Sequence, residues 1–345
     1  MALTTFSGLD ADLDGKSILI TGGTGSFGKT LLKKILANHN PRKVIVFARG
    51  EFMHFELQNS LSEEERTKVR FFVGDIRDLD RLVMAFRGVD IVIHAAAQKQ
   101  VPLAEYNPFE CIRTNVIGAE NIVQAAIRCG VKSVLALSTD KAVNPINLYG
   151  ASKLASDKIF VAANALGAGT STVFSVVRYG NVLGSRGSII PFFRQLIADG
   201  ATELPITDER MTRFWISLDQ AVEFTLSCLP NIQGGEIFIP KIPTMSITDL
   251  TEAMAPHLPR KIVGIRPGEK LHEIMITEHN AHTTYDLGDR YLIEPEWSFS
   301  LRDESHLKGL SPMPEGFEYS SDKNDLFMSV EELKEVLASL PDESK

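Results

Sequence analysis

Thr21-Gly22-Gly23-Thr24-Gly25-Ser26-Phe27-Gly28 stands between a short apolar run, Ser17–Thr21, and a segment of helical periodicity. In that segment Phe27, Leu31, Leu32, Ile35 and Leu36 fall on one face, and Lys29, Lys33 and Lys34 on the other. Strand, glycine-rich turn and amphipathic helix in this order open a dinucleotide-binding βαβ unit. One glycine permits the tight turn, another lets the backbone approach a pyrophosphate, and the third allows close helix–strand packing. The free N–H groups at the helix start then face the phosphates.

Working outward, further short apolar runs follow at Val44–Ala48, Val69–Val73, Ile91–His94, Ser133–Ser138 and Val173–Tyr179, alternating with amphipathic stretches. This is the pattern of a parallel sheet covered on both faces. The charged stretch Ser62–Lys68 reads as an exposed turn. After about residue 180, Pro191, Pro205, Pro230, Pro240, Pro243, Pro256, Pro259 and Pro267 punctuate short elements, and the βαβ repetition is expected to stop. The fold class is therefore α/β, a Rossmann-type doubly wound parallel sheet with a smaller mixed C-terminal lobe. Residues 15–180 form the cofactor domain with the catalytic groups, and 181–330 mainly the substrate lobe, with segments that could return to the first domain. Residues 1–14 and 331–345 are peripheral. The tail from about Glu294 reads as loops, with a short amphipathic helix at Ser329–Leu340.

The chain has 345 residues, 44% hydrophobic and 23% charged, the balance of a soluble globular protein. A net charge of −8 argues against a nucleic-acid surface. Cys111, Cys129 and Cys228 form no CxxC pair, so neither a disulfide framework nor a zinc site is indicated. His279 and His282 lack supporting ligands, so no metal is expected; His94, at a strand end, reads as a packed, hydrogen-bonded residue. Met1–Gly15 lacks the layout of a signal peptide and no apolar run is long enough to span a bilayer, so a cytoplasmic enzyme away from membranes is expected.

Phe47-Ala48-Arg49-Gly50 ends the second run where NAD enzymes usually carry an acidic residue. Arg49 can pair with a 2′-phosphate, which favours NADP, although Glu51 lies close by. Asp75-Ile76 follows the third run and would sit beside the adenine, with Asp78 as an ordinary helix-start residue. Tyr149-Gly-Ala-Ser-Lys153 puts a phenol and an ammonium on one helical face. The cation would lower the tyrosine pKa, making a base for a hydroxyl that is being oxidised. Ser138-Thr139, ending the fifth run, can help hold the substrate.

Together, the glycine turn, His94-Ala95-Ala96-Ala97, Ser138-Thr139 and Tyr149…Lys153 resemble the extended short-chain dehydrogenase/reductase family. More narrowly, His94–Asn107, Ser138–Lys153, Arg178–Phe193, Met211–Ile216 and Arg266–Glu273 resemble the inverting UDP-N-acetylglucosamine 4,6-dehydratases that begin pseudaminic acid synthesis for flagellin glycosylation. The likeness runs from about residue 15 to about 330. It implies a lyase with a tightly bound, recycled NADP. C4 of UDP-N-acetylglucosamine is oxidised, water leaves across C5–C6, hydride returns to C6, and C5 is reprotonated on the opposite face. The product is UDP-2-acetamido-2,6-dideoxy-β-L-arabino-hex-4-ulose.

In that reading Lys141 is the C5 base and Asp140 the acid, beside Tyr149, Lys153 and Thr139. Cationic Lys153 and the oxidised nicotinamide would favour a neutral Lys141, and burial a protonated Asp140. The cofactor residues are Gly22, Thr24, Gly25, Ser26, Phe27, Gly28, Ala48, Arg49, Asp75, Ile76, Ala95, Ala96, Lys99, Ser138, Tyr149, Lys153 and Val182. The substrate residues are Lys99, near nicotinamide and sugar, Asn181 at the diphosphate, Arg213 and Arg266 as phosphate clamps, and Glu269 at the uridine ribose. Self-association, from dimer to hexamer, is expected. The rival readings are a UDP-sugar 4-epimerase, a retaining dehydratase, or a non-catalytic NADP-binding protein.

Overall fold

The structure, a computed structural model, describes residues 5–6, 11–166, 169–184, 188–296 and 307–340. The expectations for the extreme N-terminus and for much of the tail after Glu294 lie partly outside these residues.

Six parallel strands form the cofactor half: β1 (Ser17–Thr21), β2 (Lys43–Ala48), β3 (Val69–Val73), β4 (Ile91–His94), β5 (Ser133–Thr139) and β6 (Val173–Tyr179). Their side chains alternate between two apolar layers because strand residues point to opposite faces in turn. Ile18 and Ile20 of β1 join one cluster with Leu31, Leu32 and Ile35 of α1 (Ser26–Asn38). Leu19 joins the other with Phe86, Ile122 and Phe160. Those three come from α4 (Leu79–Phe86), α5 (Gly118–Cys129) and α6 (Leu148–Leu166); α2 is Glu51–Asn59 and α3 is Glu63–Lys68. Phe47, Phe86 and Phe160 are fully buried, each contributing about 1.5–3 kcal/mol of apolar transfer.

Beyond residue 180 the chain adds β7 (Asn181–Val182), α7 (Ile189–Ala198), β8 (Thr212–Ile216), α8 (Leu218–Cys228), β9 (Ile237–Pro240), β10 (Thr244–Ser246), α9 (Ile247–Met254), β11 (Thr284–Asp286), β12 (Arg290–Ile293) and α10 (Val330–Ser339). The main sheet has the order β11-β12-β9-β6-β5-β4-β1-β2-β3. The β-order of the first half is thus the doubly wound 3-2-1-4-5-6, whose reversal between β1 and β4 opens a crevice at the strands' carboxyl ends. Strand repetition does not stop at residue 180: β9 pairs parallel with β6, and β12 and β11 follow antiparallel. The separate lobe is built on the three-stranded sheet β10-β8-β7.

Three further differences from the sequence reading have a cap or a packing contact as their cause. Ser62–Lys68 is not a turn: Ser62 caps α3, its Oγ accepting from Glu65 N at 3.2 Å while Glu65 Oε2 accepts from Ser62 N at 2.7 Å. Phe6, in the segment expected to be peripheral, is buried against Phe224 with ring centroids 4.8 Å apart. α10, also expected at the periphery, buries Leu333 and Val336 beside Trp215, Met245 and Leu250 in the core of the small lobe. No described helix is long and apolar enough to cross a membrane.

Candidate active site

The turn between β1 and α1 is built so that only glycine fits. Gly22 has φ +65°, and a Cβ there would lie 3.0 Å from Ala96 Cα and N. A Cβ on Gly23 would lie 2.8 Å from Val46 Cγ1, and one on Gly28 would fall on Gly23 Cα. Helix α1 has no side-chain cap at Gly25 and no acidic residue in its first turn. Its leading N–H groups and positive dipole end therefore suit an anion, and the residues fit the pyrophosphate of a dinucleotide. The loop opposite is pinned by Asn115, which sits in a π-helical turn. Its Oδ1 accepts from Gln98 N at 2.8 Å and its Nδ2 donates to Gln98 O at 2.9 Å and Ser152 Oγ at 2.9 Å.

These elements bound a cleft of about 610 Å³. Each of the seventeen expected cofactor residues lines it, from Gly22 and Arg49 to Lys99, Tyr149, Lys153 and Val182, as do Thr139, Lys141 and Asn181. Tyr179 and Gly180, at the end of β6, also line it, although the sequence reading assigned them no role. Arg49 projects into solvent, its guanidinium 3.9 Å from Asp75 Oδ2. Asp75 is otherwise occupied by Arg77, whose Nη2 donates to Oδ2 at 2.7 Å. Burial works against the Asp75 carboxylate, but the Arg77 hydrogen bonds prevail and hold its pKa below the ordinary value. Asp78 caps α4, its Oδ1 accepting from Arg81 N at 3.0 Å.

The catalytic candidates converge where β5 ends. Thr139 is followed by a single 3-10 turn, Asp140–Ala142, against which α6 packs. The approach is close because α6 carries Gly150 there: a Cβ would collide with the Lys141 carbonyl oxygen. Asn147 fixes the helix start, its Oδ1 accepting from Gly150 N at 2.7 Å and its Nδ2 donating to Gly268 O at 2.8 Å. Asp140 is completely buried; its Oδ1 accepts from Thr139 Oγ1 at 2.9 Å and from Lys141 Nζ at 3.1 Å. Asp140 Oδ2 has no hydrogen-bond partner among the described residues. Lys141 Nζ also donates to Asn181 Oδ1 at 3.3 Å and lies 3.2 Å from Glu273 Oε1. Ser138 Oγ donates to Asp157 Oδ2 at 2.7 Å, and Lys153 Nζ donates to Leu137 O at 2.7 Å.

The electrostatics differ from those expected for two lysines. Burial opposes the Lys141 charge, yet Asp140 and Glu273 outweigh it, and the ammonium is held above its ordinary pKa. Lys153 is not among the main charges acting on it. Burial pushes the Tyr149 phenol up to about 12, and the cation that opposes this is Lys141 rather than Lys153. Lys153 is itself lowered by burial, against the pull of Asp157. His94 is buried and neutral, lowered to about 3 first by burial and then by Lys153, with Nδ1 bonded to Thr21 Oγ1 at 2.8 Å.

The expected substrate residues are less uniform. Lys99 and Asn181 face the cleft. Arg213 does not: it is buried, with Nη1 donating to Thr212 O and Leu271 O and Nη2 to Lys270 O. Its guanidinium is spent on the turn that carries residues 270–271, and this is where it departs from a phosphate clamp. Arg266 is exposed, 3.8 Å from Glu269 Oε1, and neither residue is among those lining the cleft. Glu269 Oε2 is buried without a hydrogen-bond partner among the described residues, an acceptor available to a hydroxyl. Glu273 and Lys270 received no role in the sequence reading, although both lie inside the quoted segment Arg266–Glu273.

The profile of the polysaccharide biosynthesis protein family matches residues 18–295. An inverting UDP-N-acetylglucosamine 4,6-dehydratase of Campylobacter jejuni is 55% identical over 328 residues, covering 93% of this chain and 97% of its own. A UDP-glucose 4-epimerase of Rickettsia canadensis is 37% identical over 332 residues, covering 94% of this chain and 96% of its own. The X-ray structure of Pen from Bacillus thuringiensis matches with a TM-score of 0.85 at 36% identity, covering 95% of this chain and 98% of that one.

Proposed function

Given that the chain belongs to the polysaccharide biosynthesis protein family, we propose that it is a C5-inverting UDP-N-acetylglucosamine 4,6-dehydratase working with NADP. The observation that carries this reading is the pairing of Lys141 Nζ, which lines the cleft with Tyr149, with Asp140 buried behind it at 3.1 Å. An epimerase needs only a base and acid at the C4 hydroxyl. A dehydratase also needs a base for the C5 proton and an acid for the departing C6 oxygen. Lys141 and Asp140 supply that second pair.

A nicotinamide held in this cleft would supply the hydride acceptor for C4 and the hydride donor for C6. Gly22, Gly25 and the start of α1 hold the pyrophosphate, and Arg49 the 2′-phosphate. Tyr149, which lines the cleft with Thr139, takes the proton of the C4 hydroxyl. The resulting C4 ketone acidifies C5–H, and Lys141 removes that proton while Asp140 protonates the C6 oxygen, which leaves as water. Lys141 must first give up its ammonium proton against the hold of Asp140 and Glu273, and transfer of that proton to Asp140 Oδ1, 3.1 Å away, would leave a neutral base beside a neutral acid. Asn181, Arg266 and Glu269 hold the UDP moiety, with Lys99 near the sugar. The product is the 6-deoxy-4-keto sugar nucleotide of L-arabino configuration, a first intermediate for pseudaminic acid. We assign the enzyme to the cytoplasm as a homo-oligomer.

NMR of the purified protein with UDP-N-acetylglucosamine and catalytic NADP+ in heavy water tests this. The expected product is 6-deoxy, 4-keto and deuterated at an inverted C5. Appearance of UDP-N-acetylgalactosamine alone would support a 4-epimerase, the reaction type of the Rickettsia relative, which is named a UDP-glucose 4-epimerase. Bound cofactor without turnover of any nucleotide sugar would leave a non-catalytic NADP-binding protein.

Cofactor choice has its own test. A charged hydrogen bond contributes about 1.5–3 kcal/mol, and 1.4 kcal/mol is tenfold in affinity. Arg49→Glu is therefore expected to weaken NADP binding by roughly 10- to 100-fold while leaving NAD binding nearly unchanged. Calorimetric titration of both dinucleotides checks it; equal losses for the two would remove Arg49 from the 2′-phosphate site.

A further inference from the structure

Lys141 is gripped by carboxylates from both halves of the molecule. Asp140 is its neighbour on the β5 side, whereas Glu273 comes from the segment that leads into the short strand Ile274–Ile276. Glu273 is 2% exposed. Its backbone is anchored at both ends of the peptide unit, its N–H donating to Ser321 Oγ at 2.9 Å and its carbonyl accepting from Ser321 N at 2.8 Å. Around the carboxylate, Lys141 Nζ is at 3.2 Å, Lys270 Nζ at 3.7 Å and Arg213 Nε at 3.9 Å. Oε2 has no hydrogen-bond partner among the described residues.

A buried carboxylate must be paired to be tolerated. Arg213 would be the natural structural partner, but its Nη groups donate to backbone carbonyl oxygens instead. Lys270 Nζ donates to Val143 O at 2.5 Å. The shortest approach to Glu273 is therefore made by Lys141, the residue that the dehydratase mechanism must aim at C5.

We propose that Glu273 is a positioning residue for Lys141, directing Nζ into the cleft and stabilising the ammonium that forms when Lys141 removes the C5 proton. This rests on the dehydratase reading of the site. In the elimination, the amine lone pair takes the C5 proton, and the C5–H electron pair becomes the C5–C6 double bond. The C6–O bond breaks, and the oxygen leaves with the Asp140 proton as water. Lys141 ends as ammonium and Asp140 as carboxylate, and Glu273 keeps its charge throughout. The groups facing Lys141 are Asp140, Tyr149 from α6, Asn181 from β7, and Glu273 with Arg213 from the small lobe; Lys270 lies beyond Glu273. Asp140 and Glu273 raise the proton affinity of Lys141, while burial and Arg213 lower it.

The test compares Glu273→Gln and Glu273→Asp with the unsubstituted enzyme. An opposite charge within hydrogen-bonding range moves a pKa by about 1–3 units. Glu273→Gln should therefore lower the titration midpoint of the Lys141 amine by about one unit or more, followed by NMR of isotopically labelled lysine and assigned with Lys141→Arg. The same variant should lower kcat for dehydration by roughly 10- to 100-fold, less than loss of a whole general base, with KM nearly constant. Its kcat profile should shift toward lower pH. Glu273→Asp should restore the pH profile and part of the rate. A Lys141 midpoint unmoved by Glu273→Gln overturns the inference. So does a loss of kcat that is equal in both variants with no shift of the pH profile, the mark of a purely structural role. If the unsubstituted protein fails to dehydrate UDP-N-acetylglucosamine while the Lys141 midpoint still falls in Glu273→Gln, the dehydratase reading fails and the Lys141–Glu273 assignment stands.

Discussion

Replacement of Lys141 by methionine is expected to cut formation of the 6-deoxy-4-keto product by roughly 10²- to 10⁴-fold, the range for removal of a general base. Methionine keeps the length and the absence of branching, so the 3-10 turn Asp140–Ala142 and its packing under Gly150 need not move. What disappears is the amine that stands 3.1 Å from Asp140 and 3.2 Å from Glu273. A second effect should accompany it. The Lys141 charge opposes the rise that burial imposes on Tyr149, so the phenol in the variant should titrate higher still. Residual C4 chemistry should then need a more alkaline medium than in the unsubstituted enzyme. NMR in heavy water reads both, through deuterium at C5 and the pH dependence of any C4 reaction. Unchanged C5 exchange would take Lys141 out of the mechanism.

The second large effect concerns stability. Asp157→Ala is expected to destabilise the protein by about 3–5 kcal/mol, the cost of leaving a buried charge without its partner. Asp157 Oδ2 accepts from Ser138 Oγ at 2.7 Å and from Arg178 Nη2 at 3.2 Å, with the two ion-pair side chains only 3% and 6% exposed. Arg178 Nη1 donates to Met275 O at 2.9 Å, so this network joins β5, β6 and α6 to the strand that follows Glu273. Removal of Asp157 would strand a guanidinium in the core. The paired change Asp157→Leu with Arg178→Met should recover most of the loss, because an apolar pair needs no charge compensation. Denaturant titrations of the two variants and the unsubstituted protein check this; a loss below about 1 kcal/mol for Asp157→Ala would mean that Arg178 finds another partner. Asp157 also raises the pKa of Lys153 and Tyr149, so any stable Asp157 variant should show both groups titrating lower.

Much of the cofactor half was legible before any coordinates. Local signals suffice there: β1, β3, β4 and β6 begin and end where the apolar runs do, and β2 and β5 differ by one residue. The glycine turn could be read because each glycine answers a steric demand made within the same βαβ unit or by the adjacent strand. Tyr149 and Lys153 could be read because i and i+4 share a helical face. The short helix Ser329–Leu340 was legible from its period and appears as α10. Helix α3 was missed, although Ser62 and Glu65 carry the spacing of a capping box.

The chain alone thus determined the doubly wound sheet, the dinucleotide turn and the identity of most residues on the cleft wall. These depend on interactions between residues close in sequence or on patterns repeated along one element. Only the tertiary structure decided that Arg213 is spent on backbone carbonyls, that β9, β12 and β11 return to extend the main sheet, and that Glu273 reaches Lys141. Each of those depends on which distant segments meet. The charge on Lys141 depends on it most, because a buried ammonium takes its proton affinity from whichever carboxylates the fold brings beside it.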